Sequence, residues 1–196
     1  MYFTSCIHQR SEEQDTYRNN YTQVTKQILN MSPIGFILIA IQVIAYVLYY
    51  TYTKRNFGIQ DSISDVFRRS QEKFGTSSIL PWIFYYGFML GIGVPFHLII
   101  LSGWSFFTMS GLILTATAAQ FWRDEMTETA HIVGATGGIT LAFVALGFKM
   151  WIVSTVFFVI YLLLLWLLRP IKNYTWWIES AAVFIVVILD IVYLLM

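Results

Sequence analysis

Six apolar stretches, at 33–53, 80–101, 105–121, 129–148, 150–169 and 174–196, occupy most of the chain. About 20 apolar residues are enough to cross a hydrocarbon core, and each stretch reaches that length or comes close. The expectation is an all-α, polytopic integral membrane protein with six transmembrane helices. Composition agrees, because 12% of the residues are charged where soluble domains average about 25%. Formal net charge is +1, so no basic field favours nucleic acid. Cys6 is the single cysteine, which rules out an intrachain disulfide and a cysteine-built zinc site.

Residues 1–31 are polar and read as an extramembrane tail with a helix over 17–29; 32–196 form one transmembrane domain. The start has no apolar h-region, so the first span is expected to act as the insertion signal. The connections at 102–104, 123–128 and 170–173 are short, and the break near 148–150 is shorter still. Short connections make successive helices antiparallel neighbours. Eight Lys and Arg fall on one side of this topology and four on the other. The positive-inside rule therefore places both termini outside, with bacterial inner membrane as the expected location.

Small residues recur at helical spacing. Gly87 and Gly91 do so in the second span, Gly111, Thr115 and Ala119 in the third, and Ala130, Gly134, Gly138 and Ala142 in the fourth. Such stripes let helix backbones approach closely in lipid, so spans two, three and four are expected to pack together, with three and four interior. The fifth span, nearly all Val, Phe, Ile and Leu, suits a lipid-facing position. Pro95 interrupts the second span two residues before His97.

The 54–78 loop contains an amphipathic segment over 62–75, with Ile63, Val66, Phe67, Ser70 and Phe74 on one face. Ser62 and Asp65 have the spacing of a capping box, and Gly75 is a natural stop. A short helix in the interface or over the bundle is expected.

The string Phe57-Gly58-Ile59-Gln60-Asp61-Ser62-Ile63-Ser64-Asp65 precedes Leu80-Pro81-Trp82-Ile83-Phe84-Tyr85, and Thr129-Ala130-His131-Ile132-Val133-Gly134-Ala135 opens the fourth span. In that order these elements resemble a domain-of-unknown-function family of six-span bacterial membrane proteins. There an Ile-Ser-Asp element follows the first span and a His-x-x-Gly-Ala element opens the fourth. The resemblance covers about 33–196 and implies six helices without an established activity. Where that family often has aromatic residues after Ser-Asp, this chain has Val66-Phe67-Arg68-Arg69.

The topology collects Asp61, Ser64, Asp65, Arg68, Arg69, Arg123, Asp124, Glu125, Glu128, His131, Arg169, Lys172 and Glu179 on one membrane face. Glu179 lies about one turn inside the sixth span, where an ionisable group needs a partner; Arg123, Arg169 or His131 is the expected one. Three readings of this face stand. The charges neutralise one another, with the acidic residues favoured at the start of the fourth helix. Arg68, Arg69, Arg123 and Arg169 hold an anionic lipid headgroup or a membrane-protein partner, a second copy of the chain included. Or His131 works with Asp65, Glu128 or Glu179 in a metal-assisted membrane hydrolase. A zinc catalyst normally needs three protein ligands, and this face has one histidine and no cysteine, so no metal site or cofactor is assigned. On the opposite face Asp190 is expected to pair with Lys149 or His97 in a packing seam, with an ion path and a small transporter as the third reading. The conclusion from sequence is a non-catalytic membrane protein that binds lipid or a partner.

Overall fold

A computed structural model describes residues 33–119 and 125–196, with the backbone alone at 118–119 and 125–128. The 1–31 tail, its expected helix, and Arg123 and Asp124 lie outside the described residues. These residues form seven helices and no strand: α1 (Pro33–Asn56), α2 (Asp65–Phe74), α3 (Leu80–Ile100), α4 (Gly103–Ala119), α5 (Glu125–Gly147), α6 (Trp151–Leu167) and α7 (Tyr174–Leu195). Four helical segments are long and apolar enough to cross a membrane: α1, α3, the Thr129–Gly147 part of α5, and α7. The protein is all-α and built for a bilayer. α4 and α6 are shorter, with 17 residues each.

Successive apolar helices are neighbours, and α7 closes the arrangement against α1 and α3. α4 stands between α3 and α5, so spans two, three and four form a row rather than a mutual cluster. The backbones of α4 and α5 approach each other directly. A Cβ built on Gly111 would lie 3.0 Å from the Gly134 carbonyl oxygen and 3.0 Å from Gly138 Cα. Gly91 instead faces Ala45 of α1, and Gly87 has nothing within 4 Å. The small residues of α3 therefore do not act as one ridge.

Neither α4 nor α5 is wholly interior. Phe106, Phe107, Ile113 and Leu114 of α4 are exposed, as are Ile132 and Val133 of α5. Each helix has one smooth packed face and one apolar outer face. α6 buries Ser154, whose hydroxyl donates to the Phe143 carbonyl at 3.0 Å, and exposes most of its remaining apolar surface. The α3–α4 turn is held by reciprocal serine bonds. Ser105 N–H donates to Ser102 Oγ at 3.1 Å, Ser102 N–H donates to Ser105 Oγ at 3.0 Å, and His97 Nδ1 lies 3.0 Å from that same Ser105 hydroxyl.

The loop helix α2 starts three residues later than the expected 62, with Ser64 as its N-cap. Ser62 Oγ accepts from Asp65 N–H at 3.1 Å, which is half of a capping box. Asp65 turns its carboxylate to Arg68 and Arg69 instead of back to Ser62. Gly75 ends the helix at φ +89°, a left-handed conformation that favours glycine. Val66 and Phe67 are buried against the bundle, with Phe67 edge-on to Trp82 at 5.3 Å. Phe74 is partly exposed, its ring edge-on to Phe57 at 6.4 Å. α2 thus covers protein rather than lying free in the interface.

Candidate functional site

The helix-to-loop connections converge at the end of the bundle where α7 begins. There, 59–63 runs as a strap across the first turns of α7. Trp176 N–H donates to the Asp61 carbonyl at 3.0 Å, so one of the open donors of the helix N-terminus is satisfied by the strap. Asn173 Nδ2 donates to the Ile59 carbonyl at 2.7 Å. Ile63 N–H donates to Glu179 Oε2 at 2.6 Å, and Tyr49 O–H donates to the Ile63 carbonyl at 2.6 Å. Tyr49 in turn stacks on Phe88 at 4.5 Å and on Trp176 at 6.5 Å. Polar backbone in a membrane protein has to be paired within the protein, and α1 and α7 supply the partners here.

Among the described residues, Glu179 therefore takes a backbone amide, and not Arg169 or His131, as its hydrogen-bond partner; Arg123, the third expected partner, lies outside the described residues. The physical reason is position. One and a half turns into α7, the carboxylate faces the strap, whereas Arg169 is exposed on the preceding connection.

Glu179 also lines a groove of about 380 Å³ between α5, α6 and α7, together with His131, Ala135, Thr136, Ile139, Thr140, Tyr161, Leu165 and Thr175. Thr136 and Thr140 are exposed on the outer side of α5, so the groove opens laterally. His131 is buried, and its Nδ1 lies 3.0 Å from the Thr115 carbonyl of α4. A carbonyl only accepts, so Nδ1 carries the proton. Thr136 donates its hydroxyl proton to the Ile132 carbonyl at 2.6 Å, which leaves its oxygen to accept. Tyr174 O–H ties the start of α7 to the Leu165 carbonyl of α6 at 2.9 Å, fixing the groove's width at that end.

Of the candidates read from sequence, His131 and Glu179 meet in this groove. Asp65 does not line it and is engaged on α2. Arg68 binds Asp65 and Glu72 at 2.7 Å each, and Arg69 binds Asp65 at 3.0 Å. The hydrogen bonds that Arg68 donates to Asp65 hold its guanidinium above its ordinary pKa, so the pair favours the ionised arginine. Arg169 is exposed. Arg123 lies outside the described residues, and the side chain of Glu128 is likewise not described. Among the described residues, no three His, Cys, Asp or Glu come together as a metal-binding group; His131 and Glu179 are two ligand-type groups in one groove.

Asp190 pairs with neither Lys149 nor His97. It is fully buried and accepts from Gln42 Nε2 at 2.7 Å, while the same nitrogen lies 3.3 Å from the Ile92 carbonyl. One amide thus links α1, α3 and α7. Among the described residues, Asp190 Oδ1 and Gln42 Oε1 are buried oxygens without a hydrogen-bond partner.

Tyr161, Thr136, Thr140, Thr175 and Gln42 were not among the residues singled out from sequence. Gln42 had a usable signal: it is a lone amide within an apolar span, and polar groups there usually face the bundle and need partners. The threonines had none, because a threonine in a membrane helix can satisfy itself on the carbonyl four residues back. Compared with models of known protein families, with curated proteins and with solved structures, the chain matches none.

Proposed function

We propose that this is a six-span, non-catalytic integral membrane protein that binds a membrane lipid in the groove between α5, α6 and α7. The six-span count adds α4 and α6 to the four longer segments. Seventeen residues stand at the short end of what crosses a bilayer, and the resemblance to six-span bacterial membrane proteins agrees with that count. The bacterial inner membrane and outside termini remain part of this reading.

One observation carries the lipid assignment: a laterally open groove of about 380 Å³ with His131 and Glu179 at one end and Ile139, Ala135 and Leu165 along it. Ligand pockets commonly span about 300–1,000 Å³ and combine an apolar wall with a few placed polar groups. An amphiphile entering sideways from the bilayer matches both parts. The arginine face gives less support, since Arg68 and Arg69 direct their guanidinium groups to Asp65 and Glu72.

The test is mass spectrometry of lipid that co-purifies with the protein, wild type against Thr140→Trp. Thr140 is exposed and lines the groove, so an indole there fills the lipid's seat with little disturbance of the core. Stoichiometric lipid on the wild type and its loss from the variant is the expected result. Equal lipid on both proteins would refute the assignment.

The shared groove of His131 and Glu179 also supports a second reading, a metal-assisted hydrolase acting on a lipid. Elemental analysis together with turnover of ester and amide lipids by wild type and His131→Ala checks it; no stoichiometric metal, or activity unchanged by the substitution, removes it.

A further inference from the structure

We infer that Gln42 and Asp190 form a proton-binding site inside the bundle, in which Asp190 carries one proton on Oδ1 and donates it to Gln42 Oε1. The site belongs to the seam of α1, α3 and α7 and is independent of the lipid groove.

Gln42 Nε2 donates to Asp190 Oδ2 at 2.7 Å and lies 3.3 Å from the Ile92 carbonyl oxygen. A carbonyl only accepts, so the amide nitrogen is the atom on that side and Oε1 is on the other. Gln42 and Asp190 are both 0% exposed. Leu38 and Val186, one turn before them on the same helix faces, are buried as well. Among the described residues, Asp190 Oδ1 and Gln42 Oε1 have no hydrogen-bond partner. Two acceptors left open on groups already joined through their other atoms call for one donor between them. A proton on Oδ1 supplies it. A carboxylic acid and a primary amide are both planar, and they close a ring with two hydrogen bonds, N–H to one carboxyl oxygen and acid O–H to the amide oxygen. The same proton removes a charge that is costly to keep within a bilayer. It is taken up from water as the helices associate.

Other titratable groups stand around this core. Tyr46 lies one turn beyond Gln42 on α1, and Tyr161 of α6 and Tyr193 of α7 pack in the same apolar cluster. His97 of α3 has its Nδ1 at the Ser105 hydroxyl, and Lys149 lies between α5 and α6. The hydrogen bond that reaches Asp190 nevertheless comes from the Gln42 amide.

Infrared spectroscopy at neutral pH reads the site, using full-length protein made with aspartate that has either ordinary or heavy carbon in its side-chain carboxyl. Aspartates in water are ionised at that pH. A label-sensitive acid carbonyl band is therefore expected from Asp190 and should vanish in Asp190→Asn. Gln42→Leu should move the band to higher frequency, because it takes away both hydrogen bonds of the ring. Asparagine places an N–H where the acid has its O–H, so Asp190→Asn should keep the unfolding equilibrium in SDS micelles within about threefold of wild type. A wild-type spectrum without the label-sensitive acid band would overturn the inference in favour of an ionised carboxylate with a bound water or cation. So would a band that survives Asp190→Asn, a band unmoved by Gln42→Leu, or a loss of about tenfold or more in folded Asp190→Asn. If a substituted protein does not fold, the labelled wild type decides alone.

Discussion

Gly111→Ala is the most informative single change for the fold, because its cost can be worked from the helix contact it enters. The added Cβ meets the Gly134 oxygen and Gly138 Cα at 3.0 Å and the Gly138 nitrogen at 3.1 Å, against 3.4 Å or more for ordinary contact. All three atoms are backbone, so no side chain can swing away, and α4 and α5 must separate by about 0.4 Å, the gap between those distances. Inserting a methyl group into a close-packed contact costs about 1–3 kcal/mol. The same separation stretches the bond from His131 Nδ1 to the Thr115 carbonyl, now 3.0 Å, and so reaches the groove. Gly137→Ala is the matched control on α5, since its Cβ meets nothing within 4 Å. Alanine also favours helix over glycine by about 1 kcal/mol in water, so the control is expected to be neutral or mildly stabilising. Unfolding by SDS in mixed micelles measures both. Stabilities of the two variants within 0.5 kcal/mol of each other would refute the claim that this glycine contact sets the α4–α5 distance.

Other consequences are equally open to measurement. Gln42→Leu leaves the buried Asp190 carboxyl without its donor and is expected to cost about 1–3 kcal/mol; the double variant Gln42→Leu, Asp190→Leu should recover part of that loss in the same assay, and strict additivity would count against a direct pair. Tyr49→Phe removes the hydroxyl that holds the Ile63 carbonyl, so limited proteolysis should cut the 59–63 strap faster than in wild type; an unchanged rate would show that the strap is held by other contacts. Arg68→Ala breaks ion pairs on a side chain that is 44% exposed, where such pairs contribute about 0–1 kcal/mol; a loss well above that range would reveal a role for Arg68 beyond α2.

Legibility from sequence varied with how local each property is. The amphipathic face of α2 could be read because it depends on residues three and four apart, and Val66, Phe67 and Ser70 are indeed its buried positions. Its start differs from the expected 62 although Ser62 does accept from the Asp65 amide, because the chain enters the helix only at Asp65, with Ser64 at the N-cap position. His131 and Glu179 could be named from their depth in apolar helices, but not their partners. Glu179 faces a backbone amide 116 residues earlier in the chain, and Asp190 an amide 148 residues earlier. No periodicity encodes either pairing.

The sequence by itself determined the solvent and the element type: long apolar runs with so few charges stabilise helices in a bilayer whatever their arrangement. It also determined which helix faces are smooth enough for backbone contact. Tertiary structure alone decided which smooth face meets which. Gly111 meets Gly134 and Gly138, while Gly91 meets Ala45 and Gly87 meets nothing. It alone also brought His131, Tyr161 and Glu179 from α5, α6 and α7 to one groove. The reason is physical. Spacing within a helix fixes only directions around that helix's own axis, whereas a site requires the distances and rotations between axes, which come from how the whole set packs.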